Sequence, residues 1–305
     1  MNKPLCHYYP WDINNTKAFL SHIREFKDHG ASNFVITETL LRQLVDDPEK
    51  VTFLHKVCSD MEVNFNAVHS IFGPKFDLNT MDENERAIML ETHKKAIEIS
   101  SQFGCKNYVL HVGAALYCYS HIPITTLREY ALKTLEELLP CAMANNMVLA
   151  VENSFELPNS AKEVMGLINH FNNHPNIGAC YDSGHANCMA TAPGKSLDKY
   201  EPYFYTCWWE NGVIPEDNAL ETMASQIVTC HLHDNTGYGD LHGMPLDGTI
   251  NWKELVPKLK ALPRLTEYQS EVCMADGKNW AGQLLAPVGG YSIKRLCDTF
   301  KFIGF

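Results

Sequence analysis

Short apolar runs alternate with amphipathic stretches along almost the whole chain. The runs at 4–8, 33–38, 63–69, 107–112, 147–152, 177–182, 227–234 and 265–272 have strand length and are bounded by turn residues, which predicts eight strands. Between them lie helical patterns. Residues 15–28 place Phe19, Ile23 and Phe26 on one face and stop at Gly30. Residues 47–60 carry Val51, Leu54 and Val57, and 82–103 carry Ile88, Ala96 and Ile99 before Gly104. Further helices are predicted over 123–145, 160–169, 252–262 and 291–302. Strands alternating with helices predict an α/β fold: a single (β/α)8 TIM barrel over residues 1–305, in preference to a doubly wound open sheet. Residues 190–221 break the rhythm. There Tyr200, Tyr203, Phe204, Tyr205, Trp208 and Trp209 crowd together in an extended excursion before strand seven. It caps the site, joins subunits of a homo-oligomer, or packs on the barrel.

Composition narrows the function. The 305 residues and 45% hydrophobic content suit one large barrel with a sizeable core. The 36 acidic residues against 25 basic ones argue against a nucleic-acid backbone or an anionic membrane as partner. The 11 cysteines form no CxxC pair and mostly sit in apolar contexts, as buried thiols of a reducing cytosol do. No signal core follows Met1 and no apolar run reaches bilayer length, so a soluble cytoplasmic protein is expected.

Buried strands are normally apolar to their last residue. Here they end in polar heads: His69, His111, Glu152, Asp182 with His185 one turn on, His231 with Asp240 and His242 in the following loop, and Glu271. Alternate residues of a strand share a face, so Val148, Ala150 and Glu152 form one row, as do Gly178, Cys180 and Asp182, and Val63, Phe65, Ala67 and His69. Such rows end at the mouth where barrel active sites are built. A single histidine or glutamate there is more often structural than functional. As a set, Glu152, Asp182 and Glu271 would repel one another unless a cation joined them, and His231 offers it a nitrogen. Three oxygens and one nitrogen suit Mn²⁺, Mg²⁺, Co²⁺ or Zn²⁺.

The segments Val151-Glu152-Asn153, Tyr181-Asp182-Ser183-Gly184-His185, Cys230-His231-Leu232-His233-Asp234-Asn235, Asp240-Leu241-His242, Gly248-Thr249-Ile250-Asn251-Trp252 and Ser270-Glu271-Val272 resemble the xylose isomerase-like barrel superfamily. That group joins sugar and sugar-phosphate isomerases and epimerases with zinc-dependent apurinic-site endonucleases. The resemblance implies one divalent metal held by Glu152, Asp182, His231 and Glu271. It implies proton transfer through an enediolate by Glu152 and Glu271, and a contact from His185 to substrate oxygens. His69, His111, Glu156 and His233 are further candidate substrate contacts. The endonuclease branch implies instead up to three zinc ions, with His69, His111, His185, Asp240 and His242 as additional ligands. The acidic balance weighs against that branch, which must grip DNA. A non-catalytic sugar-binding barrel is the third reading. The chain departs from ketose 3-epimerases after strand seven, where Gly237 and Tyr238 stand in place of an arginine, and at Phe155-Glu156, which lies nearer to strand five. The expected partner is a small sugar or sugar phosphate. Weaker signals are His7 and Glu38 at strand ends, Trp11 and Phe72 as apolar walls, and Gly289-Gly290-Tyr291-Ser292 as a helix start open to a phosphate.

Overall fold

The structure is a computed structural model that describes residues 3–191, 195, 196, 199, 216–274 and 290–305. The aromatic excursion from Tyr200 to Trp209, and Gly289, lie outside the described residues. Eight strands are present: β1 Leu5–His7, β2 Asn33–Ile36, β3 Asn64–Val68, β4 Asn107–Leu110, β5 Val148–Glu152, β6 Ile177–Asp182, β7 Ile227–Leu232 and β8 Glu267–Ser270. All pairings between them are parallel, in the order β3-β2-β1-β8-β7-β6-β5-β4. A parallel bridge from His69 to Val109, with the Ser70 amide donating to the Val109 carbonyl at 3.1 Å, curls the two ends together. The alternation of runs thus gives the predicted (β/α)8 barrel.

Two register shifts decide which side chains face inward. Between Asn33 and Val35 the pairing advances from Asn64 to Ala67, so β3 carries one extra residue. Phe65 therefore packs outward, with its ring 5.4 Å from Trp11 and 5.3 Å from Phe34. The expected single row Val63, Phe65, Ala67 and His69 is corrected: Val63 and Phe65 belong to the outer core, whereas Ala67 packs inside with Cys6 and Val35. The second shift, in β7, turns Val228 inward against Val109, Ala150 and Cys180. Glycine at 178 makes room, since a Cβ there would stand 2.7 Å from Val228 Cγ1.

Several helices escaped the sequence pattern, the short Ala115–Ser120 among them. Glu38–Asp46 buries Leu40, Leu41, Leu44 and Val45, and it ends where Pro48 bars continuation and opens the next helix. Ser183–Met189 follows β6 directly, with Asp182 as its cap accepting from the His185 amide at 2.6 Å. At the last helix, Ile293–Ile303, Ser292 accepts from the Arg295 amide and so acts as an ordinary cap. No helix among the described residues is long and apolar enough to cross a membrane.

The loop after β7 is tied down by one buried side chain. Asp234 Oδ2 accepts from Trp252 Nε1 at 2.7 Å and the Leu246 amide at 3.1 Å, and Oδ1 accepts from the Ile250 amide at 3.2 Å. Gly248 lies so close that a Cβ would meet Asp234 Oδ1 at 2.1 Å. The Gly248-to-Trp252 motif is therefore the receptor for this carboxylate. Replacing Asp234 with Ala strands the buried donors of Asn235 and Trp252 and the part-buried amides of Leu246 and Ile250, so unfolding free energy should fall by about 3 kcal/mol. Urea unfolding measures it, and a loss under about 1 kcal/mol would contradict this account.

Candidate active site

The strands run parallel, so all their C-terminal ends open at one mouth. β5 delivers Glu152, β6 Asp182, β7 His231 and the residue after β8 Glu271. His69 and His111 follow β3 and β4, and His185 rides on the first turn after β6. Glu152 sits among imidazoles: its Oε1 is 3.2 Å from His231 Nδ1 and 3.5 Å from His185 Nδ1, and its Oε2 is 3.2 Å from His111 Nε2 and 3.7 Å from His69 Nε2. His231 Nδ1 is 2.9 Å from Glu271 Oε2 and 4.0 Å from Asp182 Oδ2. Asp240 Oδ2 stands 3.2 Å from His242 Nε2 and 3.5 Å from His185 Nε2.

This donor set fits a divalent cation. Glu152, Asp182, His231 and Glu271 each offer an atom within 4.8 Å of the others, and all four are buried. Despite the short separations, Glu152 Oε2, Glu271 Oε2 and both ring nitrogens of His231 find no hydrogen-bond partner. Buried polar atoms left so are costly unless another group meets them, and an ion among them would. Four further groups have the same spacing, two of them centred away from the first: His69, His111 and Glu152; and His185, His233, Asp240 and His242. The rings are oriented from behind. His69 Nδ1 meets the Ser70 carbonyl, His185 Nδ1 the Asn153 carbonyl and His242 Nδ1 the Glu271 carbonyl, each at 2.9 Å, which leaves Nε2 of each toward the cluster.

Charge compensation runs through the imidazoles. Burial would raise the Glu152 carboxyl, but His231 and His111 outweigh it and hold it well below the usual carboxylate range. Burial would lower His231 and His185, yet Cys180, Glu152 and Glu271 hold the first well above its ordinary value, and Asp182 and Asp240 do so for the second. Burial also opposes the rise of His242 to about 10, which Asp240 imposes. His69 goes the other way, to about 4, through burial and the neighbouring His111. A divalent ion would take over the neutralising role and displace protons from these rings.

A cavity of about 540 Å³ opens over the cluster. His69, His111, Glu152, Glu156, His185, Asp240, His242 and Glu271 line it. Asp182 and His231 lie beneath, fully buried. His233 is buried too: its Nε2 meets Asp182 Oδ2 at 2.9 Å and its ring stacks on His242 at 4.0 Å, so it braces the cluster without facing the cavity. Gly184 permits this, because a Cβ there would fall 2.0 Å from His233 Cε1. Phe72 lines the cavity, tilted against His111 at 4.8 Å, whereas Trp11 is buried in the outer core. His7 is likewise outside the site, with Nδ1 3.0 Å from Ser270 Oγ and its ring against Phe26 and Phe300. Glu38 opens a helix and pairs with Arg42. Tyr8, Asp77 and Asn159 line the cavity with no motif to mark them; only their places after the first three-residue strand, in a Gly-Pro loop and beyond Glu152 hint at it.

Several known proteins are similar to this chain. The chain is 25% identical to MJ1311 of Methanocaldococcus jannaschii over 224 residues, and 24% identical to y4fM of Sinorhizobium fredii over 193. These matches take in 70% and 62% of this chain but 66% and 54% of the two relatives, so the chain spans less than two thirds of their lengths. Among solved structures, it superposes on the 3-keto-D-glucoside 4-epimerase YcjR of E. coli with a TM-score of 0.68, 14% identity and 99% coverage of both chains. D-psicose 3-epimerase of Clostridium cellulolyticum H10, solved with D-tagatose, gives 0.67 at 13% identity, covering 99% of this chain and 98% of the other. The IOLI protein, solved with a zinc atom, gives 0.66 at 17% identity, covering 98% and 96%. At these identities the structural likeness speaks for the fold. Residues 23–277 match the family model described as Xylose isomerase-like TIM barrel, and the chain belongs to that family.

Proposed function

We propose that the chain is a divalent-metal-dependent isomerase or epimerase of a sugar or sugar-like polyol. One observation carries this reading: two buried carboxylates, Glu152 and Glu271, flank His231 at 3.2 and 2.9 Å and both line the same cavity. Its support is a family of sugar epimerases and isomerases, with solved neighbours that include one bound to D-tagatose and one bound to zinc.

Glu152, Asp182, His231 and Glu271 would hold one ion, with Mn²⁺, Mg²⁺, Co²⁺ and Zn²⁺ all suited to the donors. Such an ion supplies Lewis acidity, which makes the C–H between a carbonyl and a hydroxyl removable. The chain's own groups do the rest. One glutamate removes that proton to give an enediolate, and the other returns a proton, from opposite faces of the substrate. Both glutamates are held as carboxylates by their imidazole neighbours, as the base requires. The glutamate that returns a proton therefore first takes one from solvent or an adjacent imidazolium, and the base later releases its own to solvent. His185, oriented by the Asn153 carbonyl and backed by Asp240, holds a substrate hydroxyl. Phe72 and Phe155 wall off water from the reacting carbon.

A second reading also has an observation in its favour. The groups His69–His111–Glu152 and His185–Asp240–His242 would each accommodate a further ion, as in the three-zinc phosphodiesterases of abasic DNA. The net charge of -11 opposes it.

Two measurements decide. With Mn²⁺ bound, the wild-type protein should exchange a ketose C–H with solvent deuterium, read by NMR, and Glu271→Gln should lower the rate by about a hundredfold or more. Normal exchange in the variant would remove Glu271 from the mechanism. Metal analysis of the purified protein should find about one ion per chain. About three tightly held zinc ions, together with cleavage of an abasic-site oligonucleotide, would replace this reading with the second.

A further inference from the structure

The cavity has an acidic end that the proton transfer does not use. Asp77 follows β3 in the loop after Gly73-Pro74, is more than nine-tenths buried, and lines the cavity. Its Oδ1 accepts from the Gly73 amide at 2.9 Å, while Oδ2 has no hydrogen-bond partner among the described residues. Glu156 is held in the same way: its Oε2 accepts from Asn159 Nδ2 at 3.0 Å, and Asn159 Oδ1 in turn accepts from the Gly113 amide at 3.2 Å. Gly113 joins the two arms. Its φ is +104°, and a Cβ there would meet both Asp77 Cβ and Asn79 Oδ1 at 2.6 Å. Each carboxylate is thus anchored through one oxygen, and both line the cavity.

No lysine or arginine lines this cavity among the described residues. Burial pushes the Asp77 carboxyl above its ordinary range and Glu156 adds to this, with His111 and the Gly73 amide opposing. Asp77 Oδ2 is an acceptor with no cation beside it, on a carboxyl that lines the cavity, and sugar hydroxyls are donors that would meet it. A phosphate group would bring like charge against like charge.

We infer that Asp77 and Glu156 receive hydroxyls of the non-reacting end of the substrate, and that the substrate is an uncharged polyhydroxy sugar rather than a sugar phosphate. This rests on the sugar isomerase or epimerase reading. The test is calorimetric titration of the Mn²⁺-loaded protein with D-fructose, D-psicose and D-tagatose and with their 6-phosphates. At least one free ketose should bind about tenfold or more tightly than its phosphate. Asp77→Ala should weaken the free sugar by about tenfold with metal content unchanged. Asp77→Asn keeps the Gly73 contact and should narrow the gap between sugar and phosphate. Phosphates that bind as tightly as free sugars, or affinities unchanged in both variants, overturn the inference and leave the sugar reading standing. Failure of all six ligands to bind, with no deuterium exchange into them, overturns both.

Discussion

Four carboxyl groups converge where the barrel strands end, Glu152, Asp182 and Glu271 buried and Asp240 half-buried at the cavity wall. Their mutual repulsion is the constraint to which the surroundings answer. Histidines from β7, from the ends of β3 and β4, and from the turn after β6 interleave with them, so that each carboxylate meets an imidazole. Backbone carbonyls then fix those imidazoles from behind. An arrangement of this density is unstable as a set of bare charges and becomes tolerable with a cation or with protons.

The barrel around the cluster has to hold these groups in register, and it does so with local irregularities. The extra residue in β3 sends Phe65 outward and keeps Ala67 on the inner side, two residues before His69 at the cavity. The extra residue in β7 turns Val228 inward beneath the site, in space that only a glycine at 178 leaves open. Asp234 then anchors the loop that carries Asp240 and His242.

Much of this was legible in the sequence, for a physical reason. Strand and helix periods alternate so regularly that the fold class follows, and polar heads on otherwise apolar rows stand out because burial without a partner is costly. That is how Glu152, Asp182, His231 and Glu271 could be named together. What the sequence hid depends on three-dimensional register. Nothing in Val63-Asn64-Phe65-Asn66-Ala67 announces an inserted residue, so strict alternation puts Phe65 on the wrong face. His233 shares a face with His231, yet the following loop buries it behind His242, and it supports Asp182 from there. Trp11 and Phe72 looked alike as aromatic wall residues, and only packing separates a core ring from a cavity ring. Asp77 lies in a loop whose sequence has no period to read.

The ties around Asp234 span a short length of chain, so Asp240 and His242 are placed by contacts close in sequence. Glu152 and Glu271 lie far apart in sequence and meet only once β6 and β7 stand between β5 and β8. A cation bridging those two would act as a clasp across distant parts of the polypeptide. It would reward the state in which β5 to β8 stand together and leave less assembled ones untouched, so ion loading should slow global opening more than it stiffens the loop.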